Sequence, residues 1–352
     1  MALDAGLGGI RGRLCGARGY ALSYAEVWFT QTTGSEIRTL ADIEGRFELV
    51  GLPEGSQSIS AQRGPFHTEF SVDVVAGVVR ELPDALCTPA PRIAVVTGLY
   101  DHVEDVLGTL GFRVKRIYRQ DSIEERDPAG SVDLIDGRFV GNSGDLGLAS
   151  RYWLRVFLTD PQRLARYDML FLNCGLDDHD IAEHTTDLSN AISNLKDFIA
   201  QGGSLYVSDW AADLIRQAFP SQIAFRGDPT LFGSSRVGRS DLQIDADIHD
   251  PVLRERLGTL SLPIAMRLDE WSMMLPVEVQ PVTLRVMVTG DGTGVRPETC
   301  GQASGCETYR DHVPLTVQFS YGLGQVIYTS AHVDEHADPV LEELLRILVF
   351  RM

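Results

Sequence analysis

Apolar residues in the first quarter of the chain come in short alternating runs: AEVWFT, RFELVGL, SISAQR, TEFSVDVVAG and VVREL. Gly, Pro and polar turns separate them at intervals of about ten residues, a rhythm that predicts an all-β sandwich over residues 1–86. Residues 87–91, CTPAP, cannot continue a sheet interior and read as a linker. The pattern then changes. RIAVVTG is a continuous apolar run, as expected of a strand buried on both faces, and DHVEDVLGTLGF after it has helical spacing. The same order repeats in YDMLFLNCG, LSNAISNLKDFIAQGG with its Gly-Gly stop, SLYVSDW and AADLIRQAF. Strands alternating with amphipathic helices predict, over residues 92–352, an α/β domain of the flavodoxin-like type: a mostly parallel sheet with helices on both faces. Residues 120–166 fit the alternation least. They read as an insertion over the sheet edge with one helix in YWLRVFLTDPQRLARY.

The 44% apolar content suffices to bury two cores. The formal charge of −18, with only Lys115 and Lys196 as lysines, repels a phosphate backbone and removes nucleic acid as a partner. No stretch of about 18 apolar residues is present to span a bilayer. The start, MALDAGLGGIRG, has no basic or apolar leader pattern, so the expectation is either a cytoplasmic protein or one whose leader is missing from this chain. Five cysteines weigh on that choice. Cys300 and Cys306 bracket a short Gly/Ser-rich loop suited to a disulfide, and Cys15 and Cys87 sit on the first strand and just after the last strand of the sandwich. A zinc site is the rival reading of Cys300 and Cys306, although their spacing exceeds CxxC. Paired cysteines favour a periplasmic, cell-envelope or secreted location.

The stretch TLADIEGRFELVGLPEG, with Asp42, Gly45, Phe47 and Leu52-Pro53, resembles the carboxypeptidase regulatory-like (transthyretin-like) domain. That resemblance implies a tight hairpin turn at Asp42 and Gly45, a core role for Phe47, and no catalytic residues. The ordered blocks YDMLFLNCG, NLKDFIAQGGSLYVSDW, DIHDPVLRERLG, RLDEWSMM and PLTVQFSYGLGQVIYTSAHVDEH resemble the trehalose-utilisation-protein-like branch of the class I glutamine amidotransferase-like superfamily. In its catalytic members the cysteine nucleophile follows the strand that here ends in Ser208, Asp209 and Trp210. A carboxylate cannot replace that thiolate in glutamine hydrolysis, so glutaminase activity is not expected. His332 and Glu335 resemble the pair that orients the thiolate, at a spacing one residue longer.

The candidate residues gather where open α/β sheets place their ligands, at the carboxyl ends of strands: Cys174, Asp209 with Trp210, and His332 with Glu335. Cys174 reads either as a nucleophile activated by His332 or as a small buried residue. Asp269, Glu270 and Trp271 read as a sugar-facing group with Trp271 as a stacking platform, or as core packing flanked by exposed acids. Asp177, Asp178, His179 and Asp180, with His184, offer ligands for a divalent cation or form a polar loop leading into a helix. Asp245, Asp247 and His249 alternate onto one side of an extended segment, and Asp250 reads as a helix N-cap. Residues 289–311 read as a long disulfide-pinned hairpin loop. Three functions follow from this reading. The first is a non-catalytic envelope or secreted protein binding a protein or glycan, without cofactor. The second is a carbohydrate-active hydrolase using Asp209, His332 and Glu335. The third is a metal-dependent site on the 177–184 loop.

Overall fold

The computed structural model describes residues 6–119, 122–137, 154–300, 305–331 and 339–352. The chain forms two compact units, one of Met1–Pro91 with Thr109–Phe112 and Leu348–Met352, the other of Arg92–Gly108 with Arg113–Ile347.

The first unit contains β1 (Leu7–Cys15), β2 (Glu26–Thr30), β3 (Glu36–Leu40), β4 (Arg46–Pro53), β5 (Gly55–Arg63), β6 (Phe66–Val74), β7 (Val79–Glu81) and β8 (Leu86–Cys87). They make two four-stranded sheets: β4-β1-β7, with β8 also on β1, and β3-β2-β5-β6. Burial alternates along β2 and through parts of β4 and β5, so Val27, Phe29, Phe47, Leu49, Ile59 and Ala61 supply the core. The Asp42 carboxylate accepts the Glu44 and Arg46 amides at 3.0 and 2.8 Å, and Gly45 takes φ +77, which a side chain would oppose. This turn joins strands of different sheets, because β3 pairs with β2 and β4 with β1. The expected hairpin is therefore a connection between sheets, while Phe47 is buried as expected.

Cys87 pairs in register with Cys15 and is joined to it by a disulfide. The segment read as linker thus begins inside the first unit. Because this bond closes a loop with a sequence separation of 72, replacing both cysteines by serine is expected to lower stability by about 3 kcal/mol, measured by urea unfolding.

The second unit holds β9 (Ile93–Thr97), α1 (Val103–Thr109), β10 (Val114–Arg119), β11 (Ser122–Glu125), β12 (Val132–Asp136), α2 (Pro161–Leu164) and β13 (Met169–Leu172). There follow α3 (Asp178–Glu183), α4 (Thr185–Ala200), β14 (Ser204–Ser208), α5 (Ala212–Ala218), β15 (Asp241–Ile248) and α6 (Pro251–Leu257). The chain continues with β16 (Ser261–Met266), β17 (Arg285–Val295), β18 (Thr308–Tyr321), β19 (Gly324–Thr329) and α7 (Pro339–Val349). Among the described residues its strands join one eleven-stranded sheet, ordered β11-β10-β12-β9-β13-β14-β19-β18-β17-β15-β16.

Strands β10, β12, β9, β13, β14 and β19 pair in parallel. The remaining strands pair antiparallel, so the sheet is mixed rather than mostly parallel. The cause lies in the connections: β17, β18 and β19 follow one another as antiparallel neighbours, with no crossover helix between them. Two of the strands fall within residues 120–166. β11 is an edge and β12 sits between β10 and β9, so this part of the expected insertion belongs to the sheet itself. Likewise, much of the expected loop at 289–311 is ladder, since β17 runs to Val295 and β18 begins at Thr308; the Cys300–Cys306 disulfide lies between them.

Helix α4 buries Ala191, Leu195, Phe198 and Ile199, a single helical stripe. It ends as the Gly-Gly pair predicts: Gly202 and Gly203 amides donate to the Ile199 and Phe198 carbonyls at 3.0 and 2.9 Å, a Schellman arrangement. Asp250 caps α6, accepting the Val252 and Leu253 amides, both at 3.0 Å. Asp250→Ala is expected to cost about 1–2 kcal/mol in urea unfolding.

Candidate functional site

The chain leaves β9 toward β10 and β12 on one side and reaches β13 and β14 on the other, so the connections reverse between β9 and β13. Open sheets form a crevice at such a point, outside the carboxyl ends of the strands. Gly98 permits the close approach there, since a Cβ on it would lie 1.9 Å from the Cys174 carbonyl oxygen. Asp101, Asn173, Cys174, Ser208 and Asp209 meet in this place, all fully buried.

Ser208 ends β14 in extended conformation, and Asp209 turns sharply at φ +37 into a short 3-10 turn that feeds α5. A positive φ is costly for a residue with a Cβ and persists only where neighbours hold it. Here they do. The Ser272 amide donates to Asp209 Oδ1 at 2.6 Å, and the Cys174 thiol contacts Asp209 Oδ2 at 3.6 Å. Ser272 is itself clamped by β19 and the residue after it, because Tyr328 and Ser330 hydroxyls donate to its carbonyl at 3.1 and 3.0 Å. Ser208 Oγ accepts the Cys174 amide at 2.9 Å and donates to the Asp101 carboxylate. Asn173 donates to the Asp101 carbonyl at 3.2 Å and to Glu104 at 3.0 Å.

Burial pushes the Asp209 carboxyl up to about 7, against the lowering effect of the Ser272 amide, Arg236 and the Cys174 thiol. Burial also raises the Cys174 thiol well above its ordinary value, and the nearby Asp209 charge adds to this. Cys174 is therefore a buried thiol and lacks the thiolate character of a nucleophile.

Next to this cluster, Arg236 bonds Asp178 at 2.8 Å and Asp213 at 3.0 Å, with its guanidinium 4.8 Å from the Trp210 ring centre. Arg216 adds a second cation, 3.6 Å from Asp213. Asp178 is thus a counter-ion on the first turn of α3. The cation reading of 177–180 receives no support: Asp177 and Asp178 are buried, the side chains of His179 and Asp180 lie outside the description, and the described residues contain no group of three or more metal-ligating side chains.

Trp271 is 1% exposed, its indole donates to the Arg239 carbonyl at 2.8 Å, and a Cβ on Gly238 would lie 2.3 Å from its ring. It is packed in the core, as the second of its two readings has it, with no exposed ring face. Glu270 turns the chain at φ +65 and its carbonyl accepts the Trp210 indole at 2.9 Å. Asp269 is exposed and held below the usual carboxylate range by the Ser240 amide. Trp210 keeps part of its surface exposed, with Tyr100 edge-on at 5.1 Å. His332 and Glu335 lie outside the described residues, just beyond the buried Ser330 and Ala331. Sequence reading missed Asp101, Ser272, Arg236 and Asp213. Only Asp101 had a positional signal, standing in the loop directly after the first buried strand.

No protein-family model and no curated protein matches the chain. Among solved structures it is similar to a cytoplasmic protein from Salmonella typhimurium at 12% identity, covering 74% of this chain and 98% of that one, with a TM-score of 0.36. A second cytoplasmic protein, from Salmonella typhimurium LT2, aligns at 11% identity over 73% and 97% of the two chains, with a TM-score of 0.39. A GH42 β-galactosidase from G. stearothermophilus aligns at 10% identity over 74% of this chain and 29% of the enzyme, with a TM-score of 0.31. Similarity at this level assigns neither family nor activity.

Proposed function

We propose that the protein is a non-catalytic binding protein of the cell envelope or the secreted fraction. Its larger unit is read as a flavodoxin-like, class I glutamine amidotransferase-like domain without the nucleophile. Its smaller unit is read as a carboxypeptidase regulatory-like domain that orients it toward a protein or glycan partner. One observation carries the reading. The turn where a nucleophile would stand is occupied by Asp209, fully buried and bonded to the Ser272 amide and the Cys174 thiol. The two disulfides support an oxidising compartment.

The hydrolase reading is favoured by one property of the same residue, a carboxyl poised at about 7, the range of a general acid. The two readings part in an experiment. Envelope glycan fragments and chromogenic glycosides are offered to the wild type and to Asp209→Asn. A binding protein retains glycans equally in both forms and releases no product, whereas turnover by the wild type that disappears in Asp209→Asn establishes the hydrolase.

A further inference from the structure

The antiparallel half of the sheet gathers a different set of residues. Burial alternates along β15: Ile244, Ala246 and Ile248 are inside, while Asp245 and Asp247 are exposed, as is His249 after the strand. Asp247 pairs with Thr289 of β17, and Asp291, two residues further on, pairs with His312 of β18. Directly opposed residues of antiparallel strands share a face, so these side chains lie on one face of the sheet, Thr289 buried beneath the exposed Asp247, Asp291 and His312. The two imidazoles converge on one atom, with His249 Nε2 2.7 Å and His312 Nε2 2.9 Å from Thr289 Oγ1. Behind His312, the Asp291 carboxylate lies 2.7 Å from Nδ1.

The carboxylate can only accept, so His312 Nδ1 carries the hydrogen, and in the neutral ring the lone pair is at Nε2. The Thr289 hydroxyl then donates to His312 and accepts from His249. A carboxylate on the far nitrogen is how proteins fix the ring and tautomer of metal-ligating histidines.

We propose that His249 and His312 form a surface site for a divalent transition metal of the imidazole-preferring class, such as Cu²⁺, Ni²⁺ or Zn²⁺, with Asp291 as the positioning residue of His312. The two Nε2 atoms are separated by no more than their combined distances to Thr289 Oγ1. Small rotations of the exposed rings bring both to the roughly 2.0–2.1 Å of a metal–imidazole bond. On binding, the Thr289 hydroxyl turns away, the His249 ring hydrogen moves from Nε2 to Nδ1 by exchange with water so that both Nε2 lone pairs face the metal, and water fills the remaining positions. Three or more His, Cys, Asp or Glu side chains do not converge among the described residues, so affinity rests on two nitrogens and is tightest for Cu²⁺.

The test is a titration of untagged protein with Cu²⁺ buffered by excess glycine, followed by calorimetry and electron paramagnetic resonance. The expected result is one tightly bound equivalent whose spectrum shows imidazole nitrogen coupling. Affinity falls at least tenfold in His249→Gln and in His312→Gln, and about tenfold in Asp291→Asn. The metal-free variants keep the wild-type melting temperature, so the losses do not reflect unfolding. No binding in competition with glycine, or undiminished binding by the His249→Gln/His312→Gln double variant, overturns the site. Wild-type affinity in Asp291→Asn overturns the positioning role.

Discussion

Arg236→Ala is expected to destabilise the protein by about 3–5 kcal/mol at neutral pH, measured by urea unfolding. Removing the guanidinium strips the buried Asp178 and Asp213 carboxylates, 2.8 and 3.0 Å away, of their shared cation. A buried charge without its partner costs more than the pair contributes when intact, because the desolvation already incurred is no longer offset. Arg216, 3.6 Å from Asp213, compensates only one of the two acids. The pH dependence has a definite sign. Burial, and next to it the Asp178 charge, already raise the Asp213 carboxyl, so in the variant acidification protonates Asp213 and shrinks the loss. A loss below 1 kcal/mol at neutral pH would show that the network is solvated.

The second large effect comes from Asp209. Its folded-state value of about 7 lies above the ordinary 3.8, so the folded protein binds a proton that the unfolded chain has released across that interval. Where the native state binds more protons, stability falls as pH rises; the penalty starts near the unfolded value and is complete just above the folded one. Between pH 5 and 8 this amounts to about 3 kcal/mol from this one group. In Asp209→Asn the contribution vanishes. The wild type is therefore expected to lose about 3 kcal/mol more than the variant over that range in parallel urea titrations. Equal pH profiles would mean that Asp209 titrates as an exposed carboxyl does.

The parts of the fold that sequence made legible are those with local periodicity. IAVVT, MLFL and SLYVS are short runs flanked by turns, and α4 carries both its stripe and its Gly-Gly end; each formed within about three residues of its expected bounds. β12 was hidden because VDLID mixes two acids into a strand that lies inside the sheet, and Asp133 is tolerated there through its bond with the Tyr167 hydroxyl at 2.8 Å. The antiparallel half was misjudged for a different reason. Pairing direction is set by whether the connection is a hairpin or a crossover, and the length of β17 and β18 is not visible in Gly-rich sequence such as TGDGTGV.

The candidate site was legible by position and not by content. Cys174 and Asp209 lie past the carboxyl ends of the neighbouring strands β13 and β14, which the sheet brings together whatever residues occupy them. The partners that decide the chemistry of Asp209 are long-range. Ser272, Arg236 and Asp101 are distant in sequence, and each meets the site only through sheet order and burial. Trp271 illustrates the converse. Its neighbours Asp269 and Glu270 gave it a polar context, yet Gly238 leaves room for its ring in the core.

We propose that Asp209 stands where a nucleophile would and does not act as one. The most direct test is ammonia release from glutamine, measured between pH 6 and 8 for the wild type beside Asp209→Asn. The account predicts that neither protein releases ammonia above the buffer rate. Release by the wild type that is abolished in Asp209→Asn would contradict it.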